Sequence, residues 1–144
     1  MIEFFLKHNP AKATAQQKGA CRTANGIRFF EKPKVKSARE TLVGLLLPHV
    51  PPEPLSGPLV FSATWNFPYR KSEKKSMVNA GIAIPHETTP DLDNLEKLLL
   101  DTMTRLRFWG DDKQIYKKIT SKYWSATPGI SIAVNEYRAR WIIA

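Results

Sequence analysis

The segment TPDLDNLEKLLLDTMTRLRFWGDD, residues 89–112, carries every aspartate of the chain: Asp91, Asp93, Asp101, Asp111 and Asp112. All other acids are glutamates. Carboxylates brought together repel one another unless they are protonated or share a cation, and donors that are all oxygen suit a hard ion such as Mg2+. The surrounding chain is basic, with 22 Lys and Arg against 13 Asp and Glu and a net charge of +9. An excess of this size favours a polyanionic partner, most often nucleic acid. A cation held by carboxylates inside a basic protein is the arrangement a nuclease needs. The cation reverses the local sign so that phosphate can approach, activates water and screens developing charge.

The same residues have a plain structural account. Asp and Asn are favoured at helix starts, and Asp93 with Glu96 three residues later has the form of a capping box. Asp111 and Asp112 after Gly110 fit ordinary turn chemistry. Lys97, between Asp93 and Asp101, could form a surface ion pair of small value. One aspartate is enough for a cap, however, and capping leaves the second acidic pair unexplained.

The elements that must position these residues follow from periodicity. Leu92, Leu95, Leu98, Leu99, Thr102, Met103 and Leu106 recur at helical spacing, which predicts an amphipathic helix ending near Arg107. Asp93, Lys97 and Asp101, at i, i+4 and i+8, share its polar stripe. A return strand can bring Asp112 back to this helix; periodicity leaves open which end it reaches. Upstream, residues 2–6 read as a first strand and residues 7–25 as a long basic loop, of a kind often functional. Residues 26–30 read as a second strand, and Pro33 to Leu47 as a helix with Pro48 as its stop. LVFSATWNF (59–67) alternates cleanly, as a half-buried strand should. A basic loop follows, and residues 81–85 read as a short strand or edge extension. Residues 113–124 and 130–138 read as two strands about a turn at 127–129. The expectation is one α+β domain over residues 1–144, a mixed sheet packed with two main helices.

Other features narrow the class. With 42% hydrophobic residues the chain can bury a core, and a lone Cys21 excludes an internal disulfide framework and fits a reducing compartment. No signal peptide is expected from the opening residues, and no apolar run of about 20 residues is present. A soluble, cytoplasmic protein with no membrane partner is expected. His8, His49 and His86 lack zinc-ligand or HNH spacing and, with Cys21, read as structural or surface residues.

DLDNLEKLLLDTMTRLRFWGDDKQI resembles the signature of RusA-like Holliday junction resolvases, the crossover junction endodeoxyribonucleases. The shared features are DLDNL, a Lys four residues after the second Asp, another Asp four residues later, and an aromatic-x-Asp-Asp-x-Gln sequence. Here those are Asp91 to Leu95, Lys97, Asp101, and Trp109 to Gln114. The resemblance implies a homodimer that cuts four-way DNA junctions with Mg2+, with Mn2+ as a substitute. It assigns Asp91, Asp93 and Asp112 to the metal and Lys97 to catalysis, with Asp101 and Asp111 supporting from behind the ligands. Lys122 matches a basic position of the family, which implies a DNA contact there.

Departures from the family lie elsewhere. In place of an Arg-rich loop after the first strand the chain has Lys12, Lys18 and Arg22, and Pro90 stands where a basic residue can precede DLD. Two basic segments are expected to contact DNA phosphates and to be mobile without DNA. They are residues 12–28, with Lys12, Lys18, Arg22 and Arg28, and residues 70–75, with Arg70, Lys71, Lys74 and Lys75. Three alternatives stand beside this reading. Pro90-Asp91 with Asp111-x-Lys113 formally spells a PD-(D/E)xK nuclease. DLD could be a DxD nucleotide-sugar site, or the chain a non-catalytic DNA-binding module whose aspartates only cap and turn.

Overall fold

The computed structural model describes residues 1–12 and 18–137. Strand β1 (Ile2–Lys7) is followed by a hairpin of β2 (Lys18–Thr23) and β3 (Gly26–Glu31), then helix α1 (Pro33–Leu46) and a short 3-10 turn over Leu47–His49. Strand β4 (Leu59–Pro68), the one-turn helix α2 (Lys75–Asn79) and the two-residue β5 (Ile84–Pro85) lead to α3 (Leu92–Arg105). A 3-10 turn (Asp112–Gln114) then enters β6 (Ile115–Ser125), and β7 (Gly129–Glu136) closes the fold. This is the expected α+β architecture, with β2 and α2 as elements that the sequence reading placed in loops.

Five strands form one sheet in the order β1-β7-β4-β6-β5, while β2 and β3 form a separate two-stranded ribbon. Among the described strands only the pair β4 and β6 runs parallel. A parallel pair needs a crossover connection, usually helical, and α3 supplies it. The alternation of β4 places Phe61, Ala63, Trp65 and Phe67 on the buried face. They meet Ile130, Ile132 and Val134 of β7, Leu42 and Leu46 of α1, and Leu95, Leu98, Leu99 and Met103 of α3 in one core. The opposite face of β4 carries Ser62, Thr64 and Asn66, where Thr64 Oγ1 and Ser121 Oγ of β6 lie 3.1 Å apart. The core thus clamps the inner side of α3 and leaves its polar stripe facing out.

Gly129 opens β7 beside the end of β1, its register partner being Lys7. A Cβ there would sit 2.3 Å from the Phe5 ring and 2.5 Å from the Leu6 carbonyl oxygen. The ring can swing away, but the paired backbone cannot. Gly129→Ala is therefore expected to lower stability by about 1–3 kcal/mol, the usual cost of overpacking. Urea denaturation checks this, a midpoint equal to that of the unaltered protein being the contrary result.

Candidate active site

Helix α3 begins at Asp91, whose backbone carbonyl accepts from Leu95 N at 3.1 Å. The Asp91 side chain makes no capping hydrogen bond. The capping box expected of Asp93 and Glu96 does not form either. Asp93 lies inside the first turn, and the Glu96 carboxylate is engaged by Lys118 Nζ, at 2.8 Å, and the Thr120 hydroxyl of β6. Both Asp91 and Asp93 are exposed, and neither carboxylate is in an ion pair among the described residues.

The loop before α3 is held from β6. The Lys122 ammonium donates to the carbonyl oxygens of Thr88 and, at 2.7 Å, Pro90. The charge of this half-buried lysine lies on the backbone that presents Asp91. Next to it, His86 stacks on Trp124 with ring centroids 3.8 Å apart, and Phe67 meets its edge at 4.8 Å. Burial and then the charge of Lys122 lower the His86 pKa, so the ring is neutral near pH 7 and packs as an aromatic. Thr88 N donates to its Nδ1 at 3.2 Å.

Along α3, Asp93, Lys97 and Asp101 occupy the outward stripe. Lys97 is exposed and makes no ion pair among the described residues, so the surface pair considered for it is not formed. The helix ends in a Schellman motif: Arg107 N donates to Thr104 O and Phe108 N to Met103 O, each at 3.1 Å. Arg107 takes the left-handed position at φ 67°, which glycine usually fills. Phe108 and Trp109 are then fully buried, and Trp109 Nε1 donates to Thr104 Oγ1 at 2.7 Å.

Gln114 fixes the turn that follows. Its side-chain oxygen accepts from Gly110 N (2.9 Å) and Asp111 N (3.0 Å). Its amide nitrogen donates to Leu55 O (3.1 Å) and Gly57 O (3.0 Å). The Asp111 carboxylate accepts from Lys113 N at 2.9 Å, completing a capping box, and this bond is the main cause holding its pKa low. Asp111 is thus a turn former and Asp112 beside it is the spare carboxylate.

Strand β6 runs back along α3. Lys122 meets the loop before Asp91, Lys118 and Thr120 meet Glu96, and Asp112, before the strand, feels the charge of Asp101. Asp112 therefore returns to the level of Asp101. Eight residues separate Asp101 from Asp93, about 12 Å of helix. The aspartates form two groups on one side of the protein, Asp91 with Asp93 and Asp101 with Asp111 and Asp112. Among the described residues no three His, Cys, Asp or Glu side chains are gathered as a ready metal cage. A cavity of about 590 Å3 lies on the other side of α3, walled by Trp65, Leu95, Leu98 and Ile130, and no aspartate lines it.

The expected DNA contacts divide. Arg22 and Arg28 project from the β2–β3 ribbon and are exposed, as are Lys12, Lys71, Lys74 and Lys75. Lys18 begins β2. Arg70 lies with its guanidinium 4.7 Å from the Trp124 ring centroid and 2.5 Å from Glu73, which leaves the three lysines as the open charges of that segment. Residues 13–17 and Arg138, which the sequence reading placed in the basic loop and the last strand, lie outside the described residues. The PD-(D/E)xK layout is not formed: Asp91 starts a helix and Asp111 caps a 3-10 turn, where that reading needs adjoining strands. Gln114 and the anchoring role of Lys122 went unread in the sequence; the only sign of Gln114 was its place in the aromatic-x-Asp-Asp-x-Gln motif.

Crowding leaves a titration signature. Partial desolvation, a hydrogen bond with Asp111 and the charges of Asp111 and Asp101 raise the Asp112 pKa. A carboxyl whose folded pKa lies above its unfolded value favours the fold while protonated and loses that contribution as pH rises through the folded pKa. Ionised Asp112 therefore costs stability at neutral pH, though its exposure to water keeps the effect small. Asp112→Asn is expected to raise Tm at pH 7, with the difference closing below pH 4; a lower Tm at pH 7 would contradict this electrostatic account.

Comparison with known proteins bears on the chemistry. Residues 10–135 match the protein family described as Endodeoxyribonuclease RusA. The chain is 29% identical over 135 residues to the crossover junction endodeoxyribonuclease rusA of Lactococcus phage r1t, an alignment covering 94% of this chain and 98% of the phage protein. It is 25% identical over 143 residues to the uncharacterized protein YqaN of Bacillus subtilis strain 168, covering 96% and 98% of the two chains.

Proposed function

The chain belongs to the RusA family of endodeoxyribonucleases, and from that premise we propose that it resolves four-way DNA junctions by Mg2+-dependent, paired phosphodiester hydrolysis in DNA recombination and repair. The supporting observation is the confinement of all five aspartates to the outer side of α3 and the turn after it, on a chain of net charge +9.

The donors are all oxygen, and the Asp112 pKa is raised by partial desolvation and then by its acidic neighbours; a cation would relieve the repulsion among them. Mg2+ keeps several waters and is commonly held by one or two carboxylates together with substrate phosphate. Two acidic groups about 12 Å apart cannot share one ion; each would hold its own, with water and substrate phosphate completing the shell. Asp91, Asp93 and Asp112 are the candidate ligands, with Mn2+ a possible substitute. When bound, the ion supplies an activated water and Lewis-acid stabilisation of phosphoryl charge.

The chain's own side chains divide the remaining work. Asp101 adds negative charge beside Asp112, and Asp111 and Gln114 hold the turn that presents it. Lys122 orients the loop that presents Asp91. Lys97, without an ion pair among the described residues and one turn from Asp93, offers its ammonium to phosphoryl oxygen or the leaving group. Each active site cuts one strand, so a homodimer with two-fold symmetry supplies the paired cuts. No helix among the described residues is long and apolar enough to cross a membrane.

The test is a synthetic four-way junction incubated with the protein in Mg2+, in Mn2+ and in EDTA, beside a linear duplex of the same sequence. Paired, symmetric incisions confined to the junction and dependent on metal are expected. Equal cutting of the linear duplex, or cutting in EDTA, would overturn the reading.

A further inference from the structure

The β2–β3 ribbon stands apart from the main sheet and is exposed at every residue from Ala20 to Phe30. Its register places Arg22 opposite Ile27, Ala20 opposite Phe29 and Cys21 opposite Arg28. Because side chains alternate between faces and direct partners share one, Arg22, Ile27 and Phe29 lie together on one side. Ile27 is 67% and Phe29 70% exposed; Phe30, on the other side with Arg28, is 44% exposed. A two-stranded ribbon alone is marginal in water, and large apolar side chains grouped at such exposure mark a contact surface.

Charge selects the occupant. From Lys7 to Arg39 the chain holds nine basic residues and a single acid, Glu31. Two copies of so basic a ribbon repel, whereas a nucleic acid attracts both. Phosphates account for Arg22 and Arg28 but offer nothing to Ile27 and Phe29. Those two need the flat face of a base, which an intact duplex hides in its stack and a branch point exposes. Basic grooves with aromatic platforms are how proteins hold unstacked bases. Resting on the reading of a junction-cutting enzyme, we propose that the face formed by Ile27, Phe29 and Arg22 inserts at the DNA branch point, its apolar side chains stacking on unpaired bases while Arg22 and Arg28 hold the flanking phosphates. The ribbon would thereby select branched over linear DNA, a task separate from the cutting done by the aspartates.

The test compares the full-length protein with an Ile27→Ala/Phe29→Ala double variant and a Phe29→Trp variant. The probes are a four-way junction with 2-aminopurine at the branch nucleotides and a linear duplex, both in EDTA, with sedimentation to report oligomeric state. The double variant is expected to bind the junction about tenfold more weakly, as for the loss of one base–aromatic stack. It should also lose the fluorescence change, bind the duplex as before and keep its mass. Phe29→Trp should retain junction binding and signal. Unchanged junction binding and fluorescence in the double variant would overturn the proposal, as would a fall in mass with equal loss on both DNAs, which would make the face a contact between copies. A parent protein that cuts the junction in Mg2+ while the double variant binds normally would sink this inference alone. A parent that neither prefers nor cuts the junction would sink the functional reading with it.

Discussion

Asp91→Asn, Asp93→Asn and Asp112→Asn should each reduce junction cleavage by a factor on the order of 10³ or more, leaving junction binding equal or tighter. Several kcal/mol of charge stabilisation come from a catalytic metal, and each 1.36 kcal/mol is tenfold in rate. Removing one carboxylate also removes a charge that repels phosphate, which accounts for the opposite sign on binding. The structure sharpens the experiment. Asp91 and Asp93 are exposed and the Asp91 side chain has no capping role, so their loss should not disturb the fold. Asp111, whose carboxylate caps the turn, is the control: Asp111→Asn keeps an oxygen for Lys113 N and should cost far less. Single-turnover cleavage at saturating protein, with binding measured in EDTA, separates the two quantities. Near-normal cutting by any of the three would remove that residue from the site.

Much of this arrangement was legible in the sequence where burial writes a period. The strand of Phe61, Ala63, Trp65 and Phe67 and the helix of Leu95, Leu98, Leu99 and Met103 both present an apolar face to the core, and both were read within a residue or two. Of the β2–β3 ribbon only β3 was, and β2 was not. The ribbon's residues 20–30 are exposed on both faces, so no alternation of buried and open positions exists, and Lys18 to Arg22 pass for loop. The end of α3 was read late because Arg107 takes the left-handed position where the eye looks for glycine.

The site shows the same division. That Asp93, Lys97 and Asp101 share a stripe follows from helical geometry alone. That Asp112 returns to Asp101, that Gln114 ties the turn to Leu55 and Gly57, and that Lys122 grips the carbonyls before Asp91 are tertiary facts. They depend on the register between β6 and α3, which no local spacing encodes. The resemblance marks Lys122 as a basic position, but its backbone partners appear only with the fold.

Lys97 differs from Lys122 in that respect, and its replacement by Ala should slow cutting by a factor on the order of 10² or more with little change in binding. The lysine is exposed, without an ion pair among the described residues, and on the same stripe as Asp93 one turn earlier. No ion pair among the described residues needs it, so stability should be unchanged; alanine is also a good helix former at an exposed position. A lone ammonium beside the acidic group would act where charge develops on phosphoryl oxygens or the leaving group, more strongly in the transition state than in the bound substrate. Such a group lowers the rate of the chemical step when removed and leaves ground-state affinity alone. Lys97→Arg keeps the charge but not the compact geometry, and should recover part of the rate. Single-turnover rates and binding constants for the same junction decide the matter. If affinity falls as far as the rate, Lys97 docks the DNA and does not act on the scissile phosphate.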